Sequence, residues 1–380
     1  MRTGLTSLAS LPGSPGPAGW TELADRVWPV LLFLVLIQVV ADLCDAAGLF
    51  DVGAHLAARS GRGSRIRLFL LYCALATGCT WLLSIDTTAV LLAPIGLALA
   101  SEVGISAVPF AFAAIWLANG ASLLLPVSNL TNLLAQERLR LSAVDFVSAT
   151  WVPQLVVLLV VVGVLVLRYR RQLAGRYTVP RGLPAHDPVL LRLAAAVVVL
   201  IGAAVVGGIP AWEVALGACV VLIAGFALRN PAAVTVRQLA GMVPRSILLL
   251  AVVLFAGVHL LTQHSPVLLG RLFGSGAGPA GLAWLAGTTG LMANLTNNLP
   301  AYLAAEPSEH TPARLVTVLL AVDVGPMLLA WGSLANLLWL RSCRGRGLDL
   351  SALRFGLEGL LVVPAALVGG VVAVLLSSSP

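Results

Sequence analysis

Residues 118–134 read ANGASLLLPVSNLTNLL, and residues 322–338 read VDVGPMLLAWGSLANLL. At a constant offset of 204, six of these 17 positions are identical, including Asn132 with Asn336. Each stretch is apolar at its ends and carries amides, hydroxyls, Gly or Pro in its middle. That is the pattern of a membrane helix interrupted near its centre, and the chain contains it twice.

The repeat extends outward from these stretches. Residues 67–101 and 279–305 are apolar pairs broken near the middle, at Ser84-Ile85-Asp86-Thr87-Thr88 and at Asn294-Leu295-Thr296-Asn297-Asn298-Leu299-Pro300. At an offset of 212, residues 70–93 align with 282–305 and eight of 24 positions match. Uninterrupted runs at 27–43, 145–167, 189–208, 211–228, 244–263 and 355–376 approach or reach the length of about 20 apolar residues that a spanning helix needs.

Composition agrees. Hydrophobic residues make up 59% of the 380 and charged residues only 10%, against about 25% charged in soluble domains. A soluble enzyme, a nucleic-acid binder and a disordered chain are excluded, and lipid must solvate most of the surface. The five cysteines form no C-x-x-C pair, and they read as small buried hydrophobes. No metal cluster, nucleotide loop or catalytic triad is present, so neither enzyme nor cofactor is expected.

The arginines set the topology. If both broken pairs are re-entrant hairpins, loops 47–67, 168–188, 229–243 and 341–354 share one face. With Arg192 and Arg245 at the span edges, that face carries 17 of the 23 basic residues, all of them Arg. Two full crossings per pair would separate the basic loops 47–67 and 168–188. The positive-inside rule favours the hairpins and places them on opposite sides. The expected fold is therefore an all-α polytopic membrane protein: an inverted repeat with two re-entrant helical hairpins and two interrupted transmembrane helices. Its expected parts are an N-terminal tail (1–26), membrane repeat 1 (27–168, two spans short of repeat 2), a basic cytoplasmic linker (169–188) and membrane repeat 2 (189–376).

Polar backbone at membrane depth is tolerated only inside protein or around a cavity. The four breaks therefore supply the candidate solute site: Asp86, Thr87, Thr88, Asn119, Ser128, Asn129, Asn132, Asn297, Asn298, Asp323, Ser333 and Asn336. Asp86 and Asp323 are the deepest acids and the candidates for proton coupling. No Arg sits at a break, which suits a cation, a proton or a neutral polyol-like solute better than an anion. Two intramembrane aspartates also suit an aspartyl protease, but an inverted repeat fits a carrier better.

These residues resemble the arsenite/antimonite efflux permeases of the ion transporter superfamily over most of 28–376. Asp86-Thr87-Thr88-Ala89-Val90-Leu91-Leu92-Ala93-Pro94 resembles the family's first hairpin tip, and Asn297-Asn298-Leu299-Pro300 resembles the second. Ser128-Asn129-Leu130-Thr131-Asn132 resembles the first interrupted helix. Asp323-Val324-Gly325-Pro326 with Gly332-Ser333-Leu334-Ala335-Asn336 resembles the second. Ile85, Asn119 and Met327 stand where the family has Asn, Asp and Lys. The resemblance implies a multi-pass carrier of the cytoplasmic membrane that exchanges arsenite or antimonite for protons at one mid-membrane site. It leaves room for a homodimer and a soluble ATPase partner. A sodium/proton antiporter, an organic-anion carrier of the same superfamily and a non-transporting remnant stay open beside it.

Overall fold

The computed structural model describes residues 17–377, apart from 181, 183, 184, 265 and 310. Among the described residues the chain is built of helices, with one isolated bridge between Ser64 and Arg176. A helix satisfies its own backbone groups, which lipid cannot do. The first half runs α1 (Pro17–Ala46), α2 (Leu49–Ser60), α3 (Arg65–Leu82), α4 (Ala93–Glu102), α5 (Val108–Gly120), α6 (Leu130–Leu139) and α7 (Ala143–Leu173). The second half runs α8 (Pro188–Val206), α9 (Ala211–Arg229), α10 (Arg245–His264), α11 (Pro279–Thr296), α12 (Asn298–Ala305), α13 (Pro312–Val324), α14 (Leu334–Gly345) and α15 (Ala352–Ser377). Seven of the described helical stretches are long and apolar enough to cross a bilayer. Their outward residues, such as Leu159, Leu167, Val199, Leu200 and Val368, are exposed and apolar, as a lipid-facing surface requires.

Residues 67–101 form a hairpin. α3 ends at Leu82, and Ser84 turns the chain with φ 139°, ψ 169°. A π-helical turn, Thr88–Leu92, then leads into α4. The Tyr72 hydroxyl donates to the Leu92 carbonyl at 3.0 Å and ties the two arms together. α2 has 12 residues, about 18 Å at 1.5 Å per residue, too short to span a bilayer. Its end leads into the start of α3, while its His55 lies 3.0 Å from Glu102 at the end of α4. The hairpin therefore leaves on the side it entered.

Residues 279–305 behave alike. Asn297, with φ 112° and ψ 160°, turns the chain between α11 and α12. Arg314, at the start of α13, donates to the Gly274 carbonyl at 2.7 Å and to Glu309 at 2.9 Å. Gly274 precedes the hairpin and Glu309 follows it, so its ends also share one face.

Those faces are opposite ones. Trp339 Nε1 donates to the Ala111 carbonyl at 2.9 Å, and Asn119 donates to Asn336 at 3.0 Å. Ala111 lies early in α5 and Asn119 late, whereas Asn336 precedes Trp339 in α14. α14 thus runs antiparallel to α5, out toward the face of the first hairpin. α13, which comes before it, starts from the other face, at the base of the second hairpin.

The basic loops gather as their charge pattern demands. Ser64 pairs with Arg176, and Arg65 Nε donates to the Arg176 carbonyl at 3.1 Å. Arg229 meets Asp187 at 2.7 Å, and Arg168 grips Glu358 through two bonds of 2.8 Å. These contacts join the segments around loops 47–67, 168–188, 229–243 and 341–354. One register shifts: the turning residues Ser84 and Asn297 are 213 positions apart, so the hairpin tips correspond at 213 and not at the offset of 212 found by matching identities. α1 begins at Pro17, and Asp187 caps the start of α8.

Candidate functional site

Both interrupted helices are unwound where the sequence breaks its apolar pattern. α5 stops at Gly120 and α6 begins after Asn129; α13 stops at Val324 and α14 begins after Ser333. Each break frees carbonyls, and one asparagine in each half collects them. Asn132 Nδ2 donates to the carbonyls of Ser122 (2.6 Å) and Leu125 (3.0 Å). Asn336 Nδ2 donates to those of Pro326 (2.7 Å) and Leu329 (3.2 Å). Glycine is required at 325, where a Cβ would come within 2.8 Å of the Gly290 backbone. Asn294 braces this contact by donating to the Gly290 carbonyl at 2.8 Å and the Gly325 carbonyl at 2.7 Å.

Both hairpin tips and both breaks meet around one cavity of about 90 Å³. Of the twelve expected residues, Asp86, Ser128, Asn129, Asn297, Asn298 and Ser333 line it. α1 closes it with Phe33 and Ile37, and α10 with Ala251 and Leu254. The N-termini of α6, α12 and α14 converge there, and such ends carry partial positive charge. Among the described residues no Arg lines it, and Asp86 is its one ionisable side chain. Asp86 makes no hydrogen bond or ion pair among the described residues. Thr131 Oγ1 and Ser333 Oγ are buried in its wall without a partner.

The other expected residues stand behind this wall. Thr87 bonds with Ser84 at the tip, its hydroxyl 3.2 Å from that of Ser84. Thr88 faces α3, 2.8 Å from the Thr80 hydroxyl. Asn119, Asn132 and Asn336 are fully buried and hold the breaks together. Asp323 lies one layer back and accepts from the cavity-lining Asn129 at 2.7 Å. Ser84 and Thr131 line the cavity although they were not among the expected residues. Both fall inside the breaks, beside the chosen hydroxyls Thr87 and Ser128, and nothing in the local sequence separates them from those neighbours. No group of three or more His, Cys, Asp or Glu among the described residues could hold a metal ion.

The family model described as citrate transporter, CitMHS, matches residues 4–334. The chain belongs to that family. This transporter is 28% identical over 354 residues to the arsenical pump membrane protein of Yersinia enterocolitica, covering 86% of this chain and 81% of the relative. It is 25% identical over 374 residues to the arsenical pump membrane protein of Escherichia coli K12, covering 90% and 85%. Its fold is similar to that in the crystal structure of the Alcanivorax borkumensis YdaH transporter, a protein of unusual topology. The TM-score is 0.60 at 16% identity, with 95% of this chain and 89% of that one covered. At that identity the likeness speaks for the fold alone. The transporter is multi-pass, with both hairpins and both interrupted helices in place.

Proposed function

We propose that this transporter carries arsenite or antimonite out across the cytoplasmic membrane in exchange for protons. One observation carries the reading: among the described residues, the polar side chains that line the otherwise apolar central cavity are amides, hydroxyls and a single carboxylate, with no basic side chain. Arsenite at neutral pH is mostly the uncharged trihydroxide, which both donates and accepts hydrogen bonds. Asn129, Asn297, Asn298, Ser128 and Ser333 offer it both kinds of partner. A citrate trianion would bring its charge against Asp86. At an effective dielectric near 20, each pair of like charges about 4 Å apart costs about 4 kcal/mol. The convergent helix ends offset only about 0.3–1 kcal/mol each where exposed and up to about 2 where partly buried. A cavity of about 90 Å³ is also far below the roughly 300 Å³ or more of sites for larger organic ligands. The names of the arsenical pump relatives point the same way. Asp86 at the wall and Asp323 behind Asn129 would carry the exchanged protons, and Thr87, Thr88, Asn119, Asn132 and Asn336 would hold the site's shape.

Everted vesicles carrying this chain test the reading. An imposed pH gradient should drive arsenite accumulation, and citrate should neither be taken up nor compete. Citrate uptake without arsenite uptake overturns it.

A further inference from the structure

The offset of 204 pairs Asn119 with Asp323 and Asn132 with Asn336. On one side of this pseudo-symmetry a bond is made: Asn119 Nδ2 donates to Asn336 Oδ1 at 3.0 Å. The mate of that bond would join Asp323 to Asn132, and there both free atoms are acceptors. Asp323 Oδ2 and Asn132 Oδ1 are each buried without a hydrogen-bond partner. The remaining polar atoms of both side chains are committed. Asp323 Oδ1 accepts from Asn129, and Asn132 Nδ2 donates to the Ser122 and Leu125 carbonyls. The nearby Ser122 hydroxyl gives its hydrogen to the Asn119 carbonyl at 2.7 Å.

A carboxylate has no hydrogen to offer an amide oxygen, whereas a carboxylic acid has one. We propose that the proton bound by Asp323 sits on Oδ2 and is donated to Asn132 Oδ1, completing in the second pair the bond that Asn119 and Asn336 make permanently. Asn132 is then a positioning residue for the proton. One half of the molecule is fastened by an amide hydrogen and the other by a removable one. Asn129 lies in the cavity wall and on the same carboxyl, so the proton's arrival or departure is felt where the solute binds. The inference rests on the proton-coupled reading for its use in transport; the bond itself needs no solute.

The elements packed on α13 bring Asp323 no cation of their own. α5 and α11 carry no charged side chain. On α12, Tyr302 donates to Glu306 at the hairpin base. The charged residues of α6 are Glu137 and Arg138, at its outer end. On α7 they are Asp145 in the first turn and Arg168, Arg170 and Arg171 near the last, with Tyr169 among them. On α15 they are Arg354 and Glu358, in the first two turns, and Arg168 holds Glu358. On α13 itself, Arg314 at the outer end is held by Glu309. Asp86, across the cavity, is the remaining acid.

Infrared difference spectroscopy between acidic and alkaline pH, on the full chain in nanodiscs without solute, reads the bond directly. The wild type should show the carbonyl band of one buried acid that Asp323→Asn abolishes and Asn132→Leu shifts. Asp323→Asn should fold, because it repeats in the second half what Asn119 already does in the first. If Asn132→Leu does not fold, the exchanged variant Asn119→Asp/Asp323→Asn decides: its acid should give a band again, now bonded to Asn336. A band untouched by Asn132→Leu, no band from the exchanged variant, or a matching change produced by sodium at fixed pH overturns the proposal. In vesicles, Asp323→Asn should lose the response of flux to a pH gradient. If the band behaves as expected and arsenite is not carried, the solute assignment falls and the bond stands.

Discussion

Asn132 and Asn336 lie 204 residues apart and use their side-chain amides in the same way. Each donates to two carbonyls released by the break in its own half, 10 and 7 residues upstream. The inverted repeat is therefore legible in individual hydrogen bonds as well as in helix order. Asn336 does one thing more, accepting the Asn119 amide, and so it links the two halves.

This difference predicts unequal losses. Replacing either asparagine by leucine orphans one buried carbonyl, that of Ser122 or of Pro326, at about 1–3 kcal/mol, while Leu125 keeps Ser128 as donor and Leu329 keeps Gly332. Asn336→Leu also strands one hydrogen of the Asn119 amide, whose other bond goes to the Ile115 carbonyl. Thermal unfolding in detergent, at a pH alkaline enough to ionise Asp323, should show Asn336→Leu losing more stability than Asn132→Leu. Equal losses would mean that the Asn119–Asn336 bond contributes nothing measurable.

The base of the second hairpin should be the other sensitive point. Arg314 and Glu309 are a buried pair, 5% and 0% exposed at their side chains, and the guanidinium also holds the Gly274 and Gly276 carbonyls. Arg314→Met takes the guanidinium away from a buried carboxylate, a change that costs about 3–5 kcal/mol. Adding Glu309→Gln should recover part of that loss. A single variant that unfolds at the wild-type temperature would remove the pair from any role in holding the hairpin.

Topology can be checked chemically because all five native cysteines are buried. Single cysteines at Arg59 and Glu102 should react with an impermeant reagent from one side, and cysteines at Arg140 and Ser275 from the other. Reaction of the Arg59 and Glu102 positions from opposite sides would make residues 65–102 a pair of full crossings.

The sequence reveals the two interrupted helices because Gly, Pro and Asn stand out against long apolar runs, and because both copies retain their Leu-Leu pairs. It reveals the hairpins through arginine placement. It hides the register of the tips, since Ser84 and Asn297 share a positive φ and no side-chain chemistry. Counting identities cannot see a shared backbone turn. Burial order is hidden too. Asp86 and Asp323 look equivalent in the sequence, yet one lines the cavity and the other lies behind Asn129. That bond spans 194 residues, and no local pattern announces it.

The position of Asp86 supports a last prediction. It is the one ionisable group lining the cavity, and it makes no hydrogen bond or ion pair among the described residues. A solute entering that space meets it directly, and nothing in the fold depends on its charge. Asp86→Asn should therefore unfold within about one degree of the wild type, which for a protein of this size means roughly 1 kcal/mol or less. Its arsenite exchange should no longer follow the pH gradient. Asp86→Glu should keep the gradient response with altered affinity, since the longer acid intrudes on a small cavity. Gradient-driven flux that survives in Asp86→Asn but vanishes in Asp323→Asn would leave the buried acid as the sole proton carrier and reduce Asp86 to a polar wall of the site.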